Sequence, residues 1–240
     1  MKTIVLSLGG SVLVPSLESN TIQRYREALI DISRECALYV VIGGGGEARR
    51  YIAAARKLGI DEAFSDELGI AVTRLNAALL IGALGDAAYP KIATNYEEAR
   101  MFSGQGRIVV MGGVTPAQTT DAVSAVLAES VHADVMINAT SVDGIYSADP
   151  KKVPDARRFE HLTRDELLRI IIGSRLDAGA NTVIDIVAAK VIQRSGIPLV
   201  VIDGRDPETL KTAVLQGTFS GTVVSETDRN PLSISGDGRR

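Results

Sequence analysis

The sequence predicts an α/β protein, a three-layer αβα sandwich around a central, mostly parallel sheet. Six apolar, β-branched runs have strand length: residues 3–8, 37–42, 108–111, 135–138, 199–202 and 222–225. The intervening segments, roughly 21–35, 47–58, 66–84, 121–131, 163–172, 184–195 and 207–216, carry apolar residues at helical spacing. Parallel neighbours in a sheet need crossover connections, so this alternation sets strands side by side with helices over both faces. The chain has 240 residues, 45% of them hydrophobic, ample for a core of that kind.

Taken in order, the first strand, "TIVLSL", runs straight into Gly9, Gly10 and Ser11. A glycine pair lets backbone N–H groups approach a ligand closely, and a hydroxyl adds one more hydrogen bond, which is a way to hold phosphate without a charged side chain. After the amphipathic segment 21–35, the second strand, "ALYVVI", ends in Gly43–Gly46 and leads into the helical segment 47–58. The long apolar segment 66–84 opens on Asp66, an ordinary helix-capping residue. The third strand, "IVVM", ends in Gly112–Gly113. "VTPAQTT" then brings a Pro-constrained turn and two hydroxyls into a helix starting at Asp121. The strand at 135–138 is followed by "ATSVDGIYSADP", too rich in turn formers for a helix, and the strand at 199–202 ends in Asp203–Gly204. The predicted organisation is one domain over residues 1–226 and a polar, turn-rich tail over 227–240 that is expected to be mobile.

Composition excludes several functions. One cysteine, Cys36, and two histidines, His132 and His161, are too few for a disulfide framework or a zinc site of those ligands, and no residue is assigned as a metal ligand. A reducing, cytoplasmic setting is expected. No apolar run approaches the ~20 residues of a membrane span, so no membrane partner is expected. With 26 basic and 29 acidic residues interspersed, the net charge of −3 offers no basic stripe for nucleic acid.

In an open parallel sheet, ligands bind where the carboxyl ends of strands meet helix N-termini, and the glycine turns sit at that edge. "GGGGEAR" also fits G-x-G-x-x-A, with Asp66 near the distance of a ribose-binding acid. In a dinucleotide site, however, that acid ends the next strand, whereas Asp66 follows a helix and a turn. No G-x-x-x-x-G-K-[ST] occurs, which excludes a P-loop.

The motifs "GGSVL", "GGGGEARRYI", "DELGIAVTRLNAALL", "GGVTPAQTTDAVSAVLAE", "NATSVDGIYSADPKK" and "VIDIVAAKVIQRSGI" resemble, in order and spacing, the amino acid kinase family, and within it the archaeal-type UMP kinases. The likeness runs from about residue 3 to residue 226. It implies transfer of the γ-phosphoryl of ATP to UMP, giving UDP for pyrimidine nucleotide biosynthesis, with Mg²⁺ accompanying ATP and a homohexameric assembly. By the same resemblance, Gly9, Gly10, Ser11, Gly45, Arg49, Thr140, Tyr146 and Asp149 bind ATP. Gly44, Asp66 and the loop Val114, Thr115, Pro116, Ala117, Gln118, Thr119 and Thr120 bind UMP, Asp66 accepting from the ribose hydroxyls. Asp185 matches the family's catalytic-site aspartate, and Arg49 and Lys190 are the candidate catalytic cations. Read from the residues alone, Arg49 and Lys190 also suit solvated helix charges, and Thr119 and Thr120 also suit helix caps.

One position departs from the family pattern. Many members carry lysine two residues before Gly-Gly, where it neutralises the moving phosphoryl group, and here that position is Ser7. Archaeal-type UMP kinases also tend to lack that lysine, so the change supports the resemblance to that subgroup and places the burden on Arg49, Lys190 and Mg²⁺. The competing readings are a sibling kinase acting on acetylglutamate, carbamate or isopentenyl phosphate, and a non-catalytic nucleotide-binding or storage protein on the same fold.

Overall fold

The computed structural model describes residues 1–104, 106–150, 152–176 and 183–232. A seven-stranded sheet runs in the order β3-β2-β1-β4-β6-β7-β5. Its strands are β1 (Lys2–Leu8), β2 (Cys36–Ile42), β3 (Val109–Met111), β4 (Val135–Thr140), β5 (His161–Leu162), β6 (Leu199–Asp203) and β7 (Gly221–Val224). All neighbours are parallel except β6 and β7, which run antiparallel, so the sheet is mostly parallel as expected. Only β5 lacks a counterpart in the sequence reading, because two residues make no apolar run.

Strand parity divides the core. Ile4, Leu6 and Leu8 of β1 pack on one face with Leu29 and Ile32 of α2 (Ile22–Glu35), Leu80 and Leu84 of α4 (Glu62–Leu84) and Leu210 of α9 (Pro207–Gln216). Val5 faces the other side, with Val123 and Leu127 of α6 (Thr120–Ser130), Leu167 of α7 (Arg164–Leu176) and Ile192 of α8 (Ile186–Ser195). These are the three layers. The short α1 (Gly10–Leu13) follows β1, α3 (Gly45–Lys57) packs on α4, and α5 (Tyr96–Phe102) seals the second face with Ala99 and Phe102.

Several boundaries differ from the sequence reading for identifiable reasons. Helix α4 starts at Glu62 rather than at 66, because the Asp61 side chain accepts from the Phe64 N–H at 2.9 Å and caps the helix. Asp66 therefore sits in the second turn and is no cap. Helix α3 starts at 45, two residues early, with Gly44 as its cap and a first residue, Gly45, whose left-handed φ of +66° glycine adopts freely. The missed α5 is capped by Asn95, whose side chain accepts from the Glu98 N–H at 2.9 Å.

Part of the stretch assigned to the mobile tail, residues 230–232, is tied to the domain. Leu232 is buried in the first core face, the Lys2 ammonium donates to the Pro231 carbonyl, and the Asn230 amide donates to the Gly217 carbonyl at 2.6 Å. The remainder of the tail, 233–240, lies outside the described residues.

The expectation that no segment approaches membrane-span length also needs correction. The stretch Glu62–Ala87 is 26 residues long and contains an 18-residue window with a mean hydropathy of 1.6, long and apolar enough by length and composition alone. Val72, Ala77, Leu80 and Leu84 of this helix are buried in the protein, and its buried Thr73 and Asn76 are bonded to neighbouring loops.

Candidate active site

β1 has β2 on one side and β4 on the other, so the connections diverge at its carboxyl end, where a crevice opens. The loops after β1 and β2 meet there backbone to backbone. A Cβ on Gly10 would lie 2.1 Å from the Gly45 nitrogen and 2.4 Å from the Gly43 carbonyl oxygen, so no other residue fits without driving the loops apart. Gly9, Gly10, Ser11, Gly44 and Gly45 are thereby brought together.

The N-terminus of α3 has Gly44 as its cap and no side chain bonded to its free N–H groups. In α4, α5, α6, α8 and α9 an Asp, Asn or Thr side chain fills that role. An uncapped N-terminus with its positive dipole end in a crevice suits an anion. Arg49 lies one turn on, on the face shared with Gly45. Its neighbour Arg50 is occupied by Glu47 at 3.0 Å, whereas exposed Arg49 has no acidic partner among the described residues.

Across the crevice, the loop Val114–Thr120 is tied to α4. The Asp66 Oδ2 accepts from the Ala117 N–H at 2.8 Å, and Ala117 holds a left-handed φ of +63°. One carboxylate oxygen of Asp66 thus fixes the strained residue of the turn. The same loop ends in Thr119, whose hydroxyl caps α6 by accepting from the Ala122 N–H at 3.2 Å and donates to Asp185 Oδ2. Asp185 in turn caps α8: its Oδ1 accepts from Val187 and Ala188 at 2.6 and 3.0 Å.

Sequence reasoning missed Asp121 as a site residue and treated it only as a helix start. Ser7 is 1% exposed and shares the α6-facing side of β1 with Val5, and its hydroxyl donates to Asp121 Oδ1 at 2.9 Å. Burial pushes the Asp121 carboxyl up to about 6, the Ser7 hydrogen bond opposes the rise, and the negative charge of Asp185 adds to it. Two carboxylates therefore share one region beside the glycine loops. The available signal was parity: a hydroxyl at position 7, on the same face as Val5, needs a polar partner from whatever helix covers that face.

Thr140 ends β4, and its carbonyl accepts from Gly204 at 2.7 Å, joining the loops after β4 and β6. The Tyr146 hydroxyl donates to Asp143 at 2.8 Å, and Asp143 pairs with Arg158 at 2.8 Å, which holds the half-buried ring in place. The Asp149 carbonyl accepts from the Lys152 and Val153 N–H groups and closes the loop. Lys190 stands apart. It is exposed on the solvent side of α8 with Val187 and Arg194, and no bond joins it to the carboxylate cluster among the described residues. The solvated-charge reading is the one its position supports.

The amino acid kinase family model matches residues 2–203. The chain belongs to the amino acid kinase family. It is 69% identical over 232 residues to a protein of Methanoculleus marisnigri named uridylate kinase, spanning 97% of this chain and 99% of that one. A solved uridylate kinase of Archaeoglobus fulgidus superposes with a TM-score of 0.83 at 46% identity, over 94% of this chain and all of the other. A UMP kinase of Ureaplasma parvum, at 24% identity and a TM-score of 0.74 over 94% of this chain, shares the fold.

Proposed function

We propose that this chain is a nucleoside monophosphate kinase that transfers the γ-phosphoryl group of ATP to UMP, giving UDP and ADP for pyrimidine nucleotide synthesis. The reading rests above all on the bond that ties the 114–120 loop to Asp66, in a chain so similar to proteins named uridylate kinase. A phosphate oxygen of UMP attacks the γ-phosphorus, and the bond from that phosphorus to the β-bridging oxygen breaks. Such transfer needs chiefly alignment and charge neutralisation.

In this reading Gly9, Gly10, Ser11, Gly45 and Arg49 grip the ATP phosphates, while Thr140, Tyr146 and Asp149 line the rest of the ATP site. Gly44 and the 114–120 loop hold UMP, and the second Asp66 oxygen accepts from its ribose. Asp121 joins Asp185 in the acidic part of the centre. Two carboxylates near enough for the charge of one to raise the pKa of the other, with no cation paired to either among the described residues, suit a hard divalent ion. The described residues form no cage of three or more such ligands, which fits Mg²⁺ brought in on ATP with phosphate and water supplying most of its shell. When bound, the ion neutralises charge on the polyphosphate.

We also propose a cytoplasmic homo-oligomer, a hexamer by family analogy. Phe64, Ala71, Leu75, Ala78 and Leu79 form an exposed apolar stripe along α4, with Leu75 64% exposed, and a second copy of the helix would bury it. The function is tested by ADP release with ATP, Mg²⁺ and each of UMP, dUMP, CMP and AMP. UMP should be preferred over CMP and AMP by about tenfold or more in kcat/KM. Turnover of no nucleoside monophosphate, or a preference for CMP, would sink the reading.

A further inference from the structure

Helix α4 does more than supply Asp66 and an outer apolar stripe. Its inner face carries polar side chains where a core helix would carry aliphatic ones. Asn76 is 2% exposed and Thr73 6%. A buried polar group is costly unless it is bonded, so the bonds these two make identify what they are for.

Asn76 donates from its amide nitrogen to the Gly43 carbonyl at 3.0 Å and to the Gly44 carbonyl at 3.3 Å. The two carbonyls fix which amide atom faces them, since an oxygen there would meet two acceptors. In a planar trans peptide the N–H points opposite to the C=O. Turning the Gly43 and Gly44 carbonyls toward α4 therefore turns the Gly44 and Gly45 N–H groups away from it. Thr73, on the same helix face three residues earlier, donates to the Ile70 carbonyl at 2.6 Å and accepts from the Gly113 N–H at 2.7 Å. A Cβ on Gly112 would lie 2.7 Å from that hydroxyl oxygen, so the strand end reaches Thr73 only as glycine. Arg74 Nε adds a donor to the Gly113 carbonyl at 3.3 Å. The loops after β2 and β3, which lead into α3 and the 114–120 turn, are thus hung from one helix.

We propose that Thr73 and Asn76 are positioning residues for the acceptor nucleotide: from the inner face of α4 they set the peptide planes of Gly43–Gly44 and Gly112–Gly113, and so the spacing of the two loops that hold it. The proposal rests on the kinase reading above and deepens it. Neither side chain touches substrate. Both act through backbone: loss of Thr73, which is tied to the acceptor loop, should register in the UMP KM before it registers in kcat, whereas loss of Asn76, which also aims the Gly45 N–H, should reach the ATP KM as well.

The test compares Thr73→Val, which keeps shape and removes the acceptor, with Thr73→Ser, which keeps the hydroxyl. Steady-state kinetics with UMP and ATP are paired with amide hydrogen exchange of the segment 112–120 in the absence of ligand. Thr73→Val should raise the UMP KM by about tenfold, move the ATP KM and kcat by less than about twofold, and speed exchange at Gly113. Thr73→Ser should restore both readouts. Parental UMP KM in a folded Thr73→Val protein, or an equal rise in both KM values, overturns the proposal, whatever happens to the melting temperature. Should Thr73→Val fail to fold, Arg74→Met, on the half-exposed side of the helix, carries the same KM comparison. A parent that does not turn over UMP defeats the kinase reading, and unchanged exchange at Gly113 defeats the positioning role independently of it.

Discussion

Ser7 on β1 and Asp121 at the start of α6 are 114 residues apart in sequence and 2.9 Å apart in space, the hydroxyl donating to the carboxylate. The position that departs from the expected family pattern is therefore occupied by a neutral donor already aimed at an acidic partner. Ser7 is almost fully buried, and Asp121 receives no side-chain cation from the described residues. The missing lysine leaves a carboxylate that is compensated only by a hydroxyl, which explains why burial can raise its pKa to about 6.

That raised value has a consequence for stability. A carboxyl whose folded-state pKa lies above its unfolded value of ~3.9 favours the folded protein most at low pH. Its ionisation costs stability progressively from about pH 4 to pH 6, and the cost, about 3 kcal/mol at most, is complete above pH 6. Asp121→Asn keeps an oxygen for the Ser7 hydroxyl and cannot ionise. The ligand-free variant should melt several degrees above the parent at pH 7.5, the gap closing toward pH 4, while kcat falls steeply. An equal offset at both pH values would show that Asp121 is not the titrating group.

Asp66 gives a second prediction. Because one oxygen holds Ala117 and the other is free for ligand, Asp66→Ala should raise the UMP KM by a factor corresponding to ~1.5–3 kcal/mol of charged hydrogen bonding and narrow the UMP/dUMP ratio. The ATP KM should barely move. Adding Ala117→Gly, which relieves the left-handed backbone, should recover part of the lost loop order without restoring the preference for ribose. A variant that keeps the parental UMP/dUMP ratio would remove the ribose contact from the reading.

The outer face of α4 is tested through Leu75. Leu75→Glu puts a charge in the middle of the apolar stripe without touching Asp66, Thr73 or Asn76 on the inner face. Light scattering on the eluting protein should show a lower mass than the parent, with secondary structure retained. A parent that is already monomeric at micromolar concentration would end the oligomer proposal.

Much of this arrangement was legible in the chain. The strand runs and the glycine pairs behind them are local patterns, and they carried the sheet, its two helical layers and the edge where the glycine loops meet. The boundaries of α3 and α4 were not legible, because they depend on whether Gly45 enters a helix and whether Asp61 or Asp66 caps one, and both compete on nearly equal local terms. Asp121 escaped because its role depends on a strand residue more than a hundred positions away. Thr73 and Asn76 escaped for the opposite reason: inside "GIAVTRLNAALL" they look like ordinary helix residues until the helix is docked against two glycine turns.

Arg49 supplies the last prediction. It is exposed, unpaired among the described residues, and one turn beyond the uncapped end of α3, while Lys190 faces solvent on α8. Arg49 is then the side-chain cation best placed to meet charge on the transferring phosphoryl group. Arg49→Ala should lower kcat by about 10²–10³ with UMP binding nearly intact, and Arg49→Lys should recover only part, since an ammonium cannot replace a bidentate fork. Ser7→Lys in the Arg49→Ala background is the sharper measurement. The new ammonium would enter beside Asp121, whose carboxylate offsets the cost of burying it, at the crevice end of β1. Partial recovery of kcat would mean that the two positions, on β1 and on α3, serve the same phosphates. The same substitution should drop the Asp121 pKa and abolish the pH-dependent stability gap, a readout that holds even if kcat does not return. Parental kcat in Arg49→Ala would reduce Arg49 to a solvated helix charge and leave neutralisation to the backbone amides and the metal carried by ATP.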